Sequence, residues 1–383
     1  MTGFRVDWCS GPNAQIELSQ AGRNKGLAFK YTPRFRATLR PPAESIPLQA
    51  SYLKTATQQL KRLTQSAAPA RRDIASSPGT VSPSGIEDDI RALGGALYDL
   101  VIPEAAQADL RPDNSFLDFG IDERMLHFPW ELMHDGEQYI CLKHAFGRFV
   151  AAAGVSPVPA TSANWLTETL DEISILVISV PTPRDRGRAR YEPLAAAAAE
   201  AATIERTVRA LPNMKVEVLA DALASAANVT GVLRERKFQI VHFCGHANYD
   251  LRDPMNSSLV LWDEDFPAGA IQRLVRRAQP VICVVNACDT ARVSDERALN
   301  VYSLARAFIE TGAYLVGSRW ALGDAAAANF AAAFYASLLG SCQPLGEAMR
   351  AGRKAARETP SSDRLDWGAY VLYGDPRLYF RRL

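Results

Sequence analysis

The sequence lacks the charge imbalance and the long apolar runs that mark several protein classes. Its 43 Lys and Arg nearly balance its 42 Asp and Glu, which leaves a net charge of +1. This balance gives no electrostatic reason to expect nucleic acid or a membrane surface as a partner. No apolar run approaches the roughly 18 residues of a membrane span, and the first residues lack the apolar core of a signal peptide. We therefore expect a cytoplasmic protein that binds neither nucleic acid nor membrane.

Motifs for the common cofactors and nucleophiles are also missing. Neither Gly-x-Gly-x-x-Gly nor the P-loop pattern is present, which excludes the usual phosphate cradles of nucleotide-binding sheets. The Gly-x-Ser-x-Gly pattern of serine hydrolases is absent too. The six cysteines are scattered over 383 residues without a regular spacing, so we expect reduced thiols rather than a disulfide framework. We predict that the protein uses no cofactor.

What is present is a regular alternation of strand-like and helix-like segments from about residue 172 to the C-terminus. Such alternation predicts right-handed crossovers and an α/β fold with a mostly parallel sheet flanked by helices. Residues 1–85 differ. Strand-like patterns at 4–8, 15–18 and 26–39 and a helical one at 48–63 precede a stretch at 66–85 rich in Ser, Pro and Ala. We predict a small N-terminal β-rich extension and a flexible linker.

Two of the predicted strands end at residues that can perform chemistry. They are Gln239-Ile-Val-His-Phe-Cys-Gly-His246 and Pro280-Val-Ile-Cys-Val-Val-Asn-Ala-Cys288. Functional residues of open α/β sheets lie at the carboxyl ends of strands, so neighbouring strands would bring the His246 imidazole close to the Cys288 thiol. A cysteine nucleophile needs such a neighbour, because the thiolate is the attacking species and a histidine can take its proton.

Each of these residues also has a structural alternative. A cysteine at a strand end is commonly inert packing, and we assign that role to Cys283, in the middle of its strand. His242 is expected to bond a neighbouring group inside the sheet. A zinc site built from His242, Cys244, His246 and Cys288 is disfavoured, because residues 242 to 246 of one strand span about 13 Å. We therefore predict no metal.

Three further segments have both a functional and a structural interpretation. The segment Phe128-Pro-Trp-Glu-Leu132 offers a Trp and a Glu to a site, but we predict that the kink buries Trp130 and that Glu131 is paired locally. The basic loop at 181–190 and the linker at 66–85 are either ordinary solvated segments or places where a partner contacts or processes the chain.

Six motifs, in this order, resemble those of the CHAT domain, the bacterial branch of the caspase and separase fold. They are Met125-Leu-His-Phe-Pro-Trp-Glu-Leu-Met133, His242-Phe-Cys-Gly-His246, Asn286-Ala-Cys-Asp-Thr290, Gly317-Ser-Arg-Trp-Ala-Leu-Gly-Asp324, Phe334-Tyr335 and Trp367-Gly-Ala-Tyr-Val-Leu-Tyr-Gly-Asp-Pro376. The resemblance implies a CHAT domain over residues 86–383, with 86–170 as its N-terminal half and 171–383 as its catalytic half. It also implies a caspase-like sheet with a Cys–His dyad that cleaves peptide bonds.

The resemblance assigns roles to residues at the two strand ends. His246 falls on the catalytic histidine of the family and Cys288 on its nucleophile, while the backbone N–H groups of Cys288 and Ala247 would hold the oxyanion. The family usually has glycine directly after the catalytic histidine. Alanine still has the N–H, so the oxyanion hole survives if the backbone angles at Ala247 suit a residue with a Cβ.

The resemblance also suggests three substrate contacts, Asn286, Trp320 and Asp324. Asn286 holds the position two before the nucleophile, and its amide is neutral. Asp324 matches an acid that shapes the same pocket in the related separases; alternatively, it is the N-cap of a helix that begins at Ala325. Together they favour, weakly, a basic or polar residue before the scissile bond.

Three functions remain open at this point. The first is a cysteine endopeptidase that cleaves a specific protein substrate, in a bacterial defence or programmed-death pathway, under the control of a partner. The second is a catalytically idle scaffold, and the third a non-proteolytic hydrolase or transferase that uses the same cysteine. Tetratricopeptide repeats often accompany CHAT domains, but no period near 34 residues is evident. Control is therefore expected from residues 1–85 or from another chain.

Overall fold

The structure of the protein is a computed structural model. The predicted helix at 48–63, residues 66–82 of the predicted linker, residues 186–190 and Cys288 lie outside the residues that it describes. The described residues are 3–8, 13–20, 27–33, 44–46, 83–102, 104–111, 113, 115–121, 128–150, 168–185, 191–248, 250, 256–287, 301–320, 322–360 and 365–383.

The strands of this described part follow the chain in two groups, one before and one after residue 168. They are β1 (Phe4–Trp8), β2 (Asn13–Gln20), β3 (Leu27–Pro33), β4 (Glu44–Ile46), β5 (Phe116–Ile121), β6 (Ala145–Val150), β7 (Ile173–Ser179), β8 (Met214–Ala220), β9 (Ile240–Gly245), β10 (Ala247–Asn248), β11 (Ser258–Val260), β12 (Asp265–Pro267), β13 (Ile282–Ala287), β14 (Tyr314–Ser318), β15 (Tyr370–Tyr373) and β16 (Leu378–Arg382).

The helices lie mostly between the strands of the second group. They are α1 (Pro83–Val101), α2 (Glu104–Asp109), α3 (Ile140–Lys143), α4 (Ala195–Arg209), α5 (Ala226–Glu235), α6 (Ala268–Ala278), α7 (Val301–Ile309), α8 (Asp324–Tyr335), α9 (Leu345–Arg357) and α10 (Asp366–Ala369). A π-helical turn, Ala336–Gly340, extends α8. Within this set, no helix is both long enough and apolar enough to cross a bilayer.

One sheet carries most of these strands, in the order β4-β3-β2-β5-β6-β15-β14-β13-β9-β7-β8. The run β8-β7-β9-β13-β14 is parallel throughout, as the alternation after residue 172 predicts. Antiparallel pairs occur between β14 and β15 and along β2, β3 and β4. The fold is therefore the expected mostly parallel α/β sheet.

Helices cover both faces of the parallel run. Helices α4, α8 and α9 pack together, and α5, α6 and α7 pack together, on opposite faces by the right-handed crossover rule. Helix α4 has an apolar face that packs in this way, because Ala197, Ala201, Ile204 and Val208 form a buried stripe at helical spacing along it. Gly312 closes the end of α7 with φ of +86°, as predicted for a glycine that follows a helix.

The N-terminal strands are integrated into the rest of the molecule. β2 pairs in parallel with β5, which makes β2, β3 and β4 the continuation of the main sheet. β1 pairs instead with β16 at the other end of the chain. The predicted strands at 4–8 and 15–18 are confirmed, as are residues 27–33 of the predicted strand at 26–39, whereas residues 34–39 lie outside the described part of the chain. β1 and β2 each pair with a strand far away in the sequence.

The apolar composition of residues 139–149 predicts one strand, and the structure departs from that prediction. Residues Ile140–Lys143 form the one-turn helix α3, and only Ala145–Val150 is a strand. A single helical turn is too short to leave a periodic pattern, so the apolar residues there resemble a strand. The other prediction for this region is confirmed, because Trp130 and Glu131 are both buried and Glu131 pairs with Arg148.

Candidate active site

The two strands that lead to the candidate dyad lie side by side. β9 and β13 are parallel neighbours paired over six positions, from Ile240 with Ile282 to Gly245 with Ala287. His246 follows Gly245 directly, and Cys288, which lies outside the described residues, follows Ala287 directly. Both candidate residues thus come one position after a pair of residues that face each other at the same edge of the sheet. Neighbouring strands are about 4.8 Å apart.

His246 is held in a defined orientation by a backbone carbonyl. Its side chain is buried, and Nε2 lies 2.8 Å from the carbonyl oxygen of Glu192. A carbonyl oxygen can only accept a hydrogen bond, so Nε2 carries the proton in this contact. In the neutral ring Nδ1 is then the basic nitrogen, and it is the atom that can take a proton from a thiol.

The segment that supplies this carbonyl is itself fixed in place. The Tyr191 ring lies against the His246 imidazole, with 5.2 Å between ring centroids. The Tyr191 hydroxyl lies 3.2 Å from Oδ1 of Asp265 and accepts a bond of 2.7 Å from the Asn248 amide. The same amide also donates to Asp265, at 3.1 Å. These contacts anchor residues 191 and 192 to β10 and β12; sequence analysis missed them because the three residues are distant in the chain.

The backbone of Ala247 suits an oxyanion contact. Ala247 is opposite Leu259 in the antiparallel ladder of β10 and β11, and the Val260 N–H donates to the His246 carbonyl at 2.9 Å. That bond makes Ala247 and Leu259 a pair without mutual hydrogen bonds, so the Ala247 N–H points away from β11. Ala247 lies in a strand and has no positive φ, which is the condition under which alanine can replace glycine here.

Asn286 lies at the end of β13, two residues before the candidate nucleophile in the sequence. It is 8% exposed, its amide donates to Oε2 of Glu200 at 2.8 Å, and its Oδ1 accepts from the Ser318 hydroxyl at 3.3 Å. These bonds engage both ends of the amide with protein groups. The expected contact between Asn286 and substrate stays a prediction, and the described bonds assign the side chain a place in the interior.

The loop at 319–323 after β14 is anchored at both ends. The Arg319 N–H donates to the Ala369 carbonyl at 3.0 Å, and the Arg319 guanidinium donates to the carbonyl of Phe128. Burial, followed by the nearby guanidinium of Arg148, lowers the pKa of Arg319 to about 10. At the other end the Gly323 N–H lies 3.4 Å from the carboxylate of Asp366. The loop that carries Trp320 is therefore tied to α10 and to the N-terminal half.

Trp320 and Asp324 occupy different settings in this region. Trp320 is half-buried and packs against the core. Asp324 is exposed and is the first residue of α8, while Gly323 takes the N-cap position without a side-chain capping bond. The alternative role of Asp324 as N-cap of a helix from Ala325 is therefore wrong, because the helix begins one residue earlier. The exposed carboxylate remains free of that role.

Three of the described cysteines are too deeply buried to compete for the role of nucleophile. Cys141, Cys244 and Cys283 are buried free thiols, and burial raises the pKa of Cys141 to about 12. Burial likewise raises the pKa of Cys283 far above its usual range. For Cys244, burial and the neighbouring Glu200 together raise the pKa strongly. These thiols stay protonated at neutral pH and are poor nucleophiles; the interpretation of Cys283 as core is confirmed.

One buried set of side chains among the described residues brings three potential metal ligands together. The ligand atoms of Glu200, His242 and Cys244 all lie within 4.8 Å of one another. His242 already bonds Glu200 through Nε2 at 3.2 Å and the Tyr335 hydroxyl through Nδ1 at 2.8 Å. The expectation that His242 bonds a neighbouring backbone or side-chain group is thus confirmed. His246, a member of the disfavoured zinc set, is bonded to the Glu192 carbonyl instead.

The chain matches one protein-family model over most of its length. The family model described as CHAT domain matches residues 91–375. No curated protein matches the sequence.

Similar solved structures include a chain of the Saccharomyces cerevisiae separase–securin complex, at 10% identity and a TM-score of 0.45. The match covers 94% of this chain and 30% of that one, so the protein spans less than a third of the length of that chain. A structure described as a protease, 13% identical with a TM-score of 0.44, is covered over 75% of its length by 84% of this chain. A protein from Geobacter sulfurreducens is 15% identical, with a TM-score of 0.32, over 55% of this chain and 93% of that one.

Proposed function

The chain belongs to the CHAT-domain family, and from that premise we propose that it is a cysteine endopeptidase with Cys288 as nucleophile and His246 as general base. The observation that carries the proposal is the register of β9 and β13, in which the residues directly before His246 and Cys288 are paired. The orientation of His246 by the Glu192 carbonyl supports the same roles.

The proposed reaction follows from these positions. Nδ1 of His246 takes the thiol proton, and the Cys288 thiolate attacks the scissile carbonyl carbon. The N–H groups of Cys288 and Ala247 stabilise the oxyanion of the tetrahedral intermediate. The His246 imidazolium then protonates the leaving amine, which breaks the C–N bond and leaves a thioester. A water molecule, deprotonated by His246, hydrolyses the thioester and restores the free thiol.

Selectivity in this proposal rests on the loop that follows β14. Trp320 and Asp324 line the pocket for the residue before the scissile bond, and the exposed Asp324 carboxylate can pair with a basic side chain. Family membership supports the wider proposal of a specific protein substrate, an activating protein partner and a cytoplasmic role in bacterial defence or programmed death. No membrane or nucleic-acid partner is proposed.

The proposal is tested by incubating the full chain with the proteins encoded beside it and watching for cleavage at one site. Cys288→Ala should abolish cleavage. The matched control is Cys283→Ala, five residues earlier on the same strand and buried, which should retain it. Equal cleavage by wild type and Cys288→Ala would contradict the proposal.

Two further outcomes identify the other functions. A Cys288 that no thiol reagent labels would indicate the idle scaffold. Labelling at Cys288 without turnover of any peptide in a broad library would indicate a non-proteolytic hydrolase or transferase.

A further inference from the structure

A chain of hydrogen bonds between buried side chains runs below the strand ends of the candidate site. It links helix α8 to β9, then to helix α4, then to β13 and finally to β14. We call it the Glu200 network. Its members are Tyr335, His242, Glu200, Cys244, Asn286 and Ser318, all of them buried.

Glu200 is the centre of this network because its two carboxylate oxygens serve different strands. Oε1 lies 3.2 Å from Nε2 of His242 on β9, and Oε2 accepts the Asn286 amide of β13 at 2.8 Å. The Cys244 Sγ, also on β9, lies within 4.8 Å of a carboxylate oxygen of Glu200. A carboxylate can accept several hydrogen bonds at once, which suits it to hold two strands together.

Two members of the network lie close in the sequence to the candidate catalytic residues. Cys244 is two residues before His246, and Asn286 is two residues before Cys288. Cys244 and Asn286 are also direct partners in the ladder of β9 and β13. Residues two apart in a strand share one face, and Glu200 bonds side chains of β9 and β13 close to the residues that precede His246 and Cys288 in the sequence.

The third strand of the network leads to the proposed substrate loop. Ser318 is the last residue of β14 and donates to Asn286 at 3.3 Å. The loop with Trp320 begins directly after it. The ends of β9, β13 and β14 are therefore cross-linked through one buried carboxylate on α4, the helix that follows the Glu192 carbonyl by a few residues.

We propose that Glu200 is a positioning residue that fixes the relative placement of His246, Cys288 and the substrate loop. The inference rests on the proposed function and extends it to a residue that does not touch substrate. Buried polar networks with every member satisfied specify one arrangement of the core. A shift of about 1 Å between reacting groups can lower a rate about a hundredfold.

The test is the rate at which iodoacetamide alkylates Cys288 in the full chain between pH 5 and 9, with the site resolved by mass spectrometry. Glu200→Gln keeps the shape of the side chain but replaces one acceptor oxygen by a donor. We expect alkylation at pH 7 to fall about tenfold. We also expect the inflection of the pH profile to move towards that of a free cysteine, near pH 8.5.

The matched control is Ser179→Ala, which also removes a bond between the sheet and α4. The Ser179 hydroxyl donates to the Ala197 carbonyl at 3.1 Å, from β7 rather than from β9 or β13. It should lower the melting temperature and leave the alkylation profile within about twofold of wild type. Asn286→Ala in the Glu200→Gln background should add less than its single effect, because both act through one contact.

Three results would overturn the inference. One is a Glu200→Gln variant that melts earlier but alkylates within about twofold of wild type at every pH, which would make the carboxylate purely structural. Another is the finding of stoichiometric zinc in the purified wild-type protein, together with its absence from both Glu200→Gln and Cys244→Ser. That result would make the network a metal site. The last is additivity of Glu200→Gln and Asn286→Ala. If the proposed function itself were wrong, Cys288 of the wild type would show no enhanced reactivity. That outcome differs from all three results above.

Discussion

Glu131 and Glu200 are both buried, at 0% and 2% exposure, but the protein balances their charges in different ways. Glu131, in the N-terminal half, pairs with the Arg148 guanidinium through both of its oxygens. Glu200, in the catalytic half, accepts bonds from an imidazole and an amide, with no Arg or Lys among its described partners. The first arrangement neutralises a charge, whereas the second holds two strand ends in register.

Replacing these two buried carboxylates is expected to change different properties of the protein. A buried ion pair that loses one partner leaves the other charge uncompensated, which is costly whatever the geometry. A carboxylate that accepts bonds from uncharged donors loses less when it is replaced, but the groups it held are free to move. We expect changes in the N-terminal half to act on unfolding, and changes around Glu200 to act on reactivity.

The largest effect is expected when the ion pair is broken. Glu131→Gln leaves the Arg148 guanidinium buried without its anion, and we expect a loss of about 3–5 kcal/mol in the free energy of unfolding. Urea unfolding followed by circular dichroism measures it. The control is the double variant Glu131→Leu with Arg148→Met, which should recover part of the loss. A loss below about 1 kcal/mol would contradict the comparison, because it would show that the buried Arg148 guanidinium does not need the Glu131 carboxylate.

A second prediction concerns the pH dependence of stability. His144 is buried, its Nε2 lies 3.1 Å from the Leu110 carbonyl, and its Nδ1 has no hydrogen-bond partner among the described residues. Burial, with a smaller effect of Lys143, lowers the pKa of His144 from 6.5 to about 4. Below pH 6.5 the unfolded chain therefore binds a proton that the folded protein does not. The contribution of this group is complete above pH 6.5 and is lost as the pH falls towards 4.

His144→Gln keeps a donor towards Leu110 and removes the titration. Between pH 7.5 and 4.5 the wild type should lose about 2–3 kcal/mol more unfolding free energy than the variant. Urea unfolding at four or five pH values measures the difference. Parallel pH curves for the two proteins would show that His144 does not titrate as the burial requires.

His242 sharpens the comparison from inside the catalytic half. His242→Gln keeps an N–H that can donate to Glu200 but loses the contact with Tyr335, so it should cost about 1 kcal/mol of stability. Since Glu200 stays satisfied, the cleavage rate of the folded variant should remain within about threefold of wild type. Thermal melting and steady-state kinetics measure the two effects. Loss of turnover at an unchanged melting temperature would assign His242 to the chemistry.

The smallest effect on stability is expected at the substrate loop. Asp324 is exposed and is the first residue of α8 rather than its N-cap, so Asp324→Asn should change the unfolding free energy by less than about 1 kcal/mol, through the helix dipole. Peptide libraries should show a preference for basic or polar residues before the scissile bond that fades in the variant. A strict preference for acidic residues, or unchanged selectivity in Asp324→Asn, would remove Asp324 from the pocket.

Much of the parallel sheet could be predicted from the sequence, because its strands are short apolar runs that end at small or polar residues. The placement of His246 directly after β9, the neighbour of β13, follows from the same pattern. The partners of β1 and β2 could not be predicted, since β1 pairs with β16 and β2 with β5. Those pairings depend on packing between distant segments, which local composition does not record.

The residues that support the site were also invisible to sequence analysis, with one exception. The contact of Tyr191 with Asp265 joins a loop to β12, far away in the chain, and no local pattern indicates it. Glu200 did leave a signal, because it lies on the buried stripe of α4, next to Ala201 and one turn before Ile204. A lone acid on an apolar helical face requires a partner, and such positions indicate buried networks in other sequences.

We propose that His246, held by the Glu192 carbonyl, sets the reactivity of Cys288. The most direct measurement is the pH profile of Cys288 alkylation by iodoacetamide in wild type and in His246→Gln, which keeps a donor for Glu192. The wild type should show an inflection below that of a free cysteine, near pH 8.5, and the variant an inflection close to that value, with a rate at pH 7 about tenfold lower. Superimposable profiles would contradict the account.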